Sequence, residues 1–121
     1  MKEYLFHYQA RLESLSDVYD GDTVKLTVDV GFGIQIKKFK ARLARINTPE
    51  IRGRERMVGL DVRDALREKL DGKELLVETI KDKTGKYGRY LVELWIVGEN
   101  DEYENVNDWL LENNFAELYS G

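Results

Sequence analysis

Between Thr23 and Leu43 the apolar residues fall on every second position, and partway along they change parity. Val24, Leu26, Val28 and Val30 alternate with Thr23, Lys25, Thr27 and Asp29, the pattern of a half-buried strand. Gly31-Phe32-Gly33 is a turn signal. Ile34 and Ile36 continue on one parity, but Phe39, Ala41 and Leu43 take the other. A slip of one residue would turn the core face to solvent, so the pattern predicts a β-bulge near Lys37-Lys38 that bends a barrel strand. Arg42 then faces away from Phe39, Ala41 and Leu43.

Upstream, Tyr4, Phe6, Tyr8, Ala10 and Leu12 alternate as a first strand. From Val58 to Leu70 the period lengthens: Val58, Val62, Ala65, Leu66 and Leu70 form one stripe of an amphipathic helix, with Gly72 as its left-handed stop. Two strands follow, around Leu75–Thr79 and Tyr90–Val97. Val106, Trp109, Leu110 and Leu111 mark the buried side of a short helix, capped by Asn105 at its start and Asn114 at its end. Three strands, a helix, two strands and a helix suit a mainly β protein with helices: a five-stranded OB-fold barrel, rather than a parallel sheet with crossovers. Residues 1–121 read as one domain, with no repeat, linker or low-complexity tract.

Composition narrows the chemistry. There is no cysteine, which excludes disulfides, a thiolate nucleophile and thiolate zinc sites. The one histidine, His7, lies in an apolar run with no second imidazole or serine–acid relay near it, and reads as structural. Catalysis therefore falls to carboxylates, guanidinium or ammonium groups and a cation held by oxygen. No apolar run is long enough for a membrane span, and Met1–His7 lacks a signal-like apolar core. The expectation is a cytoplasmic monomer, or a secreted one if a signal peptide was removed.

A formal net charge of −4 argues against a nucleic-acid partner, but its distribution does not. Residues 31–60 hold eight Lys and Arg against Glu50 and Glu55, whereas residues 98–121 hold seven acids and no Lys or Arg. That polarity fits a phosphate-facing side and a solvated acidic side.

Four short segments carry candidate chemistry. Asp20-Gly21-Asp22-Thr23 reads either as a tight turn or as two carboxylates converging on a hard cation. Arg42 in its apolar strand needs solvent or a partner. In Asn47-Thr48-Pro49-Glu50, the residue before proline is extended and its carbonyl is free to leave the ladder. Lys86-Tyr87-Gly88-Arg89 brings a second guanidinium, whose planar fork suits two phosphoryl oxygens.

In order and spacing, these segments resemble the staphylococcal nuclease (thermonuclease) family. Val18 through Lys25 resembles its first signature, Arg42 through Glu50 its second, and Asp82 through Arg89 its third; Val106 through Leu111 is similar to its second helix. The resemblance covers roughly residues 15–118 and implies an OB-fold that hydrolyses DNA and RNA with Ca2+, leaving 3′-phosphate ends. By motif, it makes Asp22 a direct ligand, the Thr48 carbonyl another, and Asp20 an outer-shell acid. Glu50 orients or deprotonates the attacking water, and Arg42 and Arg89 grip the phosphate.

Asn47 departs from the family, whose best-known members carry aspartate there. An amide oxygen still binds Ca2+, but one negative charge is lost, so a weaker or shifted metal requirement (Mg2+ or another divalent ion included) is expected. The chain also stops where longer relatives continue into a third helix. Tyr87 and Tyr119 are candidates to stack on a base, or to pack as core or rim tyrosines. Lys86, Arg52 and Arg54 are candidates for backbone phosphates. Two alternatives to a nuclease stay open: an OB module that binds nucleic acid but cleaves poorly because of Asn47, and a protein-interaction domain using the acidic end.

Overall fold

The computed structural model describes residues 6–80 and 90–119. Five strands form a closed ring: β1 (Phe6–Arg11), β2 (Thr23–Gly31), β3 (Ile34–Leu43), β5 (Leu75–Ile80) and β6 (Tyr90–Val97). Neighbours are antiparallel in the order β3-β2-β1-β5-β6, and a parallel pairing of β3 with β6 (Ala41↔Tyr90, Arg42↔Leu91, Leu43↔Val92) closes it. Two α-helices accompany the barrel among the described residues, α1 (Arg56–Leu70) and α2 (Val106–Glu112). This is the OB-fold expected from the sequence. The expected order of strands and helices holds, and three short strands escaped it: β4 (Ile46–Asn47), β7 (Tyr103–Asn105) and β8 (Glu117–Leu118).

The parity change is a bulge. Leu26 pairs with Phe39 but Val28 with Ile36, so two steps on β2 oppose three on β3. Lys38 takes the extra position with a left-handed backbone (φ 55°). Its ammonium reaches the buried Asp17 carboxylate at 2.7 Å. A left-handed conformation costs an L-residue about 1 kcal/mol, which the ion pair offsets.

Inside the ring, Val24, Leu26 and Val28 of β2 meet Ala41, Leu43, Leu75, Val77, Val92 and Leu94, all buried. Helix α1 adds Val62, Leu66 and Leu70. Burying each leucine or valine contributes about 2 kcal/mol. The helix starts two residues before its expected onset at Val58, and Val58 itself is 56% exposed rather than part of the buried stripe. Its first turn meets the loop after Pro49 through Gly59, and Val58 is left facing solvent. Gly72 ends the segment with φ 69°, as its position suggested.

The closing seam is locked by polar groups. The buried Asn107 amide donates to the Ala44 and Val92 carbonyls (3.0 and 3.1 Å) and accepts from the Leu94 N–H (3.0 Å). Arg45 adds bonds to Glu93 (Nε–Oε2 3.0 Å) and Asp108 (2.9 Å). Asn105 caps α2, accepting from the Asp108 N–H at 2.7 Å, and Asn114 follows that helix with φ 60°, both as expected. His7 lies 3.5 Å from the buried Glu78 on the opposite side of the ring.

Candidate active site

The start of β2 and the end of β3 form one rung, Thr23↔Arg42, where β3 also meets β6. Just before that rung lies Asp20-Gly21-Asp22, and just after it the chain turns through β4 to Thr48. Gly21 permits the approach of the two. A Cβ there would come within 2.8 Å of the Thr48 side chain and 2.6 Å of Val62 Cγ1. The glycine between the two acids is thus a packing requirement as well as a turn residue.

Asp22 is 7% exposed and its oxygens are taken by neighbours. Oδ1 accepts from the Thr23 hydroxyl at 3.1 Å; Oδ2 accepts from the Thr48 N–H at 3.2 Å and, more distantly, from Arg42 Nη2 at 3.5 Å. Asp20 Oδ1 accepts from the Asp22 N–H at 3.0 Å, folding the second carboxylate back over the first. Burial, and then the neighbouring Asp22 carboxylate, push the Asp20 carboxyl up to about 6. A carboxyl group held up beside a second carboxylate creates an electrostatic demand for a cation.

Arg42 is the hub. Nη1 donates to the carbonyls of Leu43 (3.1 Å) and Ile46 (3.0 Å), which fixes the plane of the guanidinium. Nη2 donates to the Asn47 amide oxygen at 3.2 Å. The Tyr119 ring covers the guanidinium at 5.2 Å, held there by β8, where Ile46 pairs with Leu118 and Asn47 with Glu117. The Tyr119 N–H donates to the Arg45 carbonyl at 2.8 Å. Tyr119 is about half exposed, so it is a rim residue with one face on Arg42.

The Thr48 hydroxyl is buried with no hydrogen-bond partner among the described residues. Glu50 is exposed, and its N–H donates to Glu55 Oε2 at 2.9 Å. Gly59 of α1 sits against the Glu50 peptide: a Cβ at Gly59 would overlap the Glu50 carbonyl and lie 2.9 Å from Ile51 N. Arg52 reaches the Tyr19 hydroxyl at 3.1 Å, and Arg54 is exposed on the short turn before α1. Lys86, Tyr87 and Arg89 lie outside the described residues.

The fold thus brings Asp20, Asp22, Arg42, Asn47 and Thr48 into one hydrogen-bonded cluster, with Glu50, Arg52 and Tyr119 on adjoining segments. Sequence reasoning missed Thr23, Tyr19 and Gly59 as partners of the site. Only Gly59 left a signal, since a lone glycine inside a helical pattern usually has a packing reason. The donor set suits a hard divalent cation: two carboxylates, an amide oxygen and a backbone carbonyl. Among the described residues, no three acidic or imidazole side chains converge on one point, so such an ion would depend on the neutral oxygens.

A five-stranded barrel with paired acids and a fixed guanidinium at its seam is an OB-fold. The family described as staphylococcal nuclease homologue matches residues 40–120, and the chain belongs to that family. Membership points to a nuclease-like or nucleic-acid-binding protein. The matched stretch begins after Asp20 and Asp22, which the Thr23↔Arg42 rung and the Thr48 N–H tie to it. A search of curated proteins found no match. Among the described residues, no helix is long and apolar enough to cross a membrane.

Proposed function

We propose that residues 1–121 act as one metal-dependent nuclease domain that hydrolyses phosphodiester bonds of DNA or RNA. The observation that carries this reading is the bonding of Asp22, Arg42, Asn47 and Thr48 to one another from two segments of the chain. Asp22, the Asn47 amide oxygen and the Thr48 carbonyl would hold Ca2+ or Mg2+, with Asp20 in the outer shell. A bound cation there supplies Lewis-acid charge to the phosphoryl oxygens.

The remaining work belongs to the protein's own groups. Glu50, exposed beside the cluster, accepts a proton from the attacking water as its oxygen bonds to phosphorus. The P–O5′ bond breaks and the departing oxygen takes a proton from solvent, which leaves a 3′-phosphate and a 5′-hydroxyl, and Glu50 returns its proton to solvent. Arg42 is preoriented by two carbonyls through Nη1, while Nη2 makes only longer contacts and can exchange them for a phosphoryl oxygen. Arg89 is the second cation. Fixed positive charge aimed at the developing phosphorane gives the larger part of the barrier reduction. Arg52, Arg54, Lys86, Tyr87 and Tyr119 are the proposed contacts to the rest of the strand.

One observation favours the second reading, a binding module with little cleavage. Arg42 already donates to the Asn47 oxygen, so a cation must compete with it for a neutral ligand. Cleavage of labelled single-stranded DNA across Ca2+ and Mg2+ titrations, with Glu50→Gln alongside, separates the two. A nuclease cuts with metal and loses about 100-fold or more in the variant. Binding without cutting at any metal concentration would leave only the module.

A further inference from the structure

Part of the basic segment that suggested a phosphate-facing side is neutralised in the fold. Lys38 is held by Asp17, Arg45 by Glu93 and Asp108, and Lys37 lies 3.8 Å from Glu13. One rung of the sheet is not neutralised. Lys25 of β2 stands directly across from Lys40 of β3, both are exposed, and neither has an acidic partner among the described residues. Like charges placed opposite each other on a ladder are destabilising, so the pair lacks a counter-charge that the described fold does not supply.

Its position indicates what supplies that charge. Lys25↔Lys40 lies two residues from Thr23↔Arg42 on the same two strands, hence on the same sheet face and about 7 Å along it. Moving the other way along that face, the Thr27 hydroxyl is bound to Glu13 at 2.7 Å, and Glu13 also faces Arg11 and Lys37. Among the described residues of that face, the lysines without an acidic partner are therefore the two at the rung beside the site.

We propose that Lys25 and Lys40 form a subsite for a neighbouring phosphate of the bound strand, one nucleotide from the phosphate at Arg42. The proposal rests on the nuclease reading for the strand's placement, but its test does not require cleavage. The subsite makes the protein prefer chains with at least two consecutive phosphates over a dinucleotide with one. It sets affinity and register and leaves the chemical step alone.

The experiment uses a fluorescent single-stranded oligothymidylate in metal-free buffer, with anisotropy read across a salt series for wild type and Lys25→Gln/Lys40→Gln. The double variant should bind more weakly, with a log K against log salt slope shallower by about one. Its Tm should rise, because the like-charge rung is gone. With cleavage, KM for the oligonucleotide rises at unchanged kcat, while cutting of a thymidine dinucleotide is unaffected. A neutral methylphosphonate next to the cleaved bond should weaken wild type and leave the variant unchanged. An unchanged salt slope, or a fall in Tm, overturns the subsite. A wild type that binds but never cuts removes the nuclease reading alone, since the binding arm still decides the subsite.

Discussion

Arg42 Nη2 lies 3.2 Å from the Asn47 amide oxygen and 3.5 Å from Asp22 Oδ2, so one guanidinium spans the oxygens proposed to hold a cation. Asparagine at residue 47 gives that guanidinium a neutral partner. It also gives a cation one charge less to bind.

Replacing Asn47 with aspartate should therefore tighten the site for both. In Asn47→Asp, the half-saturating Ca2+ concentration should fall about tenfold, one such factor corresponding to about 1.4 kcal/mol. Isothermal titration of the metal alone reads this directly, and the metal dependence of cleavage should move with it. Unchanged metal affinity would mean that residue 47 does not contribute a ligand.

Gly59→Ala probes the support beneath Glu50. In an isolated helix, alanine is favoured over glycine by about 1 kcal/mol, so a helix free of contacts would gain stability. Here the new Cβ overlaps the Glu50 carbonyl, and the loop must move away. The expected outcome is the opposite sign: a loss of about 1–3 kcal/mol in denaturant unfolding. The kcat of the still-folded variant should drop at least about tenfold, since Glu50 is misplaced. A more stable, fully active variant would show that the contact does not position Glu50.

The Lys38–Asp17 pair makes a pH-dependent contribution to stability. Burial pushes the Asp17 carboxyl up, but the Lys38 ammonium and the Ser14 N–H outweigh it and hold the carboxyl below its ordinary value. A depressed folded value means the stabilisation is present above the unfolded aspartate value of about 3.9 and is lost as pH falls through the folded one. Lys38→Met should cost about 2 kcal/mol at neutral pH and little in strong acid. Lys38→Gly loses the same pair but relieves the left-handed backbone, and should be about 1 kcal/mol less damaging. Urea midpoints from pH 7 down to pH 2 check both; a loss that stays equal across that range would exclude the ion pair as the cause.

The bulge at Lys37-Lys38 was readable because parity is a property of the sequence itself, and both helices were readable from their period and caps. The acids and Arg42 could be named from motif and residue type. What could not be read was pairing across the chain. Whether a lysine in the basic segment is free depends on the register that sets Lys25 against Lys40 and on the bulge that turns Lys38 towards Asp17. Val58 was misassigned because helical period gives a direction, not how far along the helix the packing extends. The place of Tyr119 depended on β8, a strand of two residues with too little pattern to find.

The parallel pairing of β3 with β6 has a consequence for how the protein is made. Leu43 can pair with Val92 only once Val92 has been made, and Asn107, which secures that junction, comes later still in the chain. Contacts over such separations form late and slowly. Tyr119 reaches Arg42 only through β8, after α2. A chain still emerging from synthesis thus lacks part of its site, and the nuclease we propose would be harmless to the message encoding it until the barrel has shut.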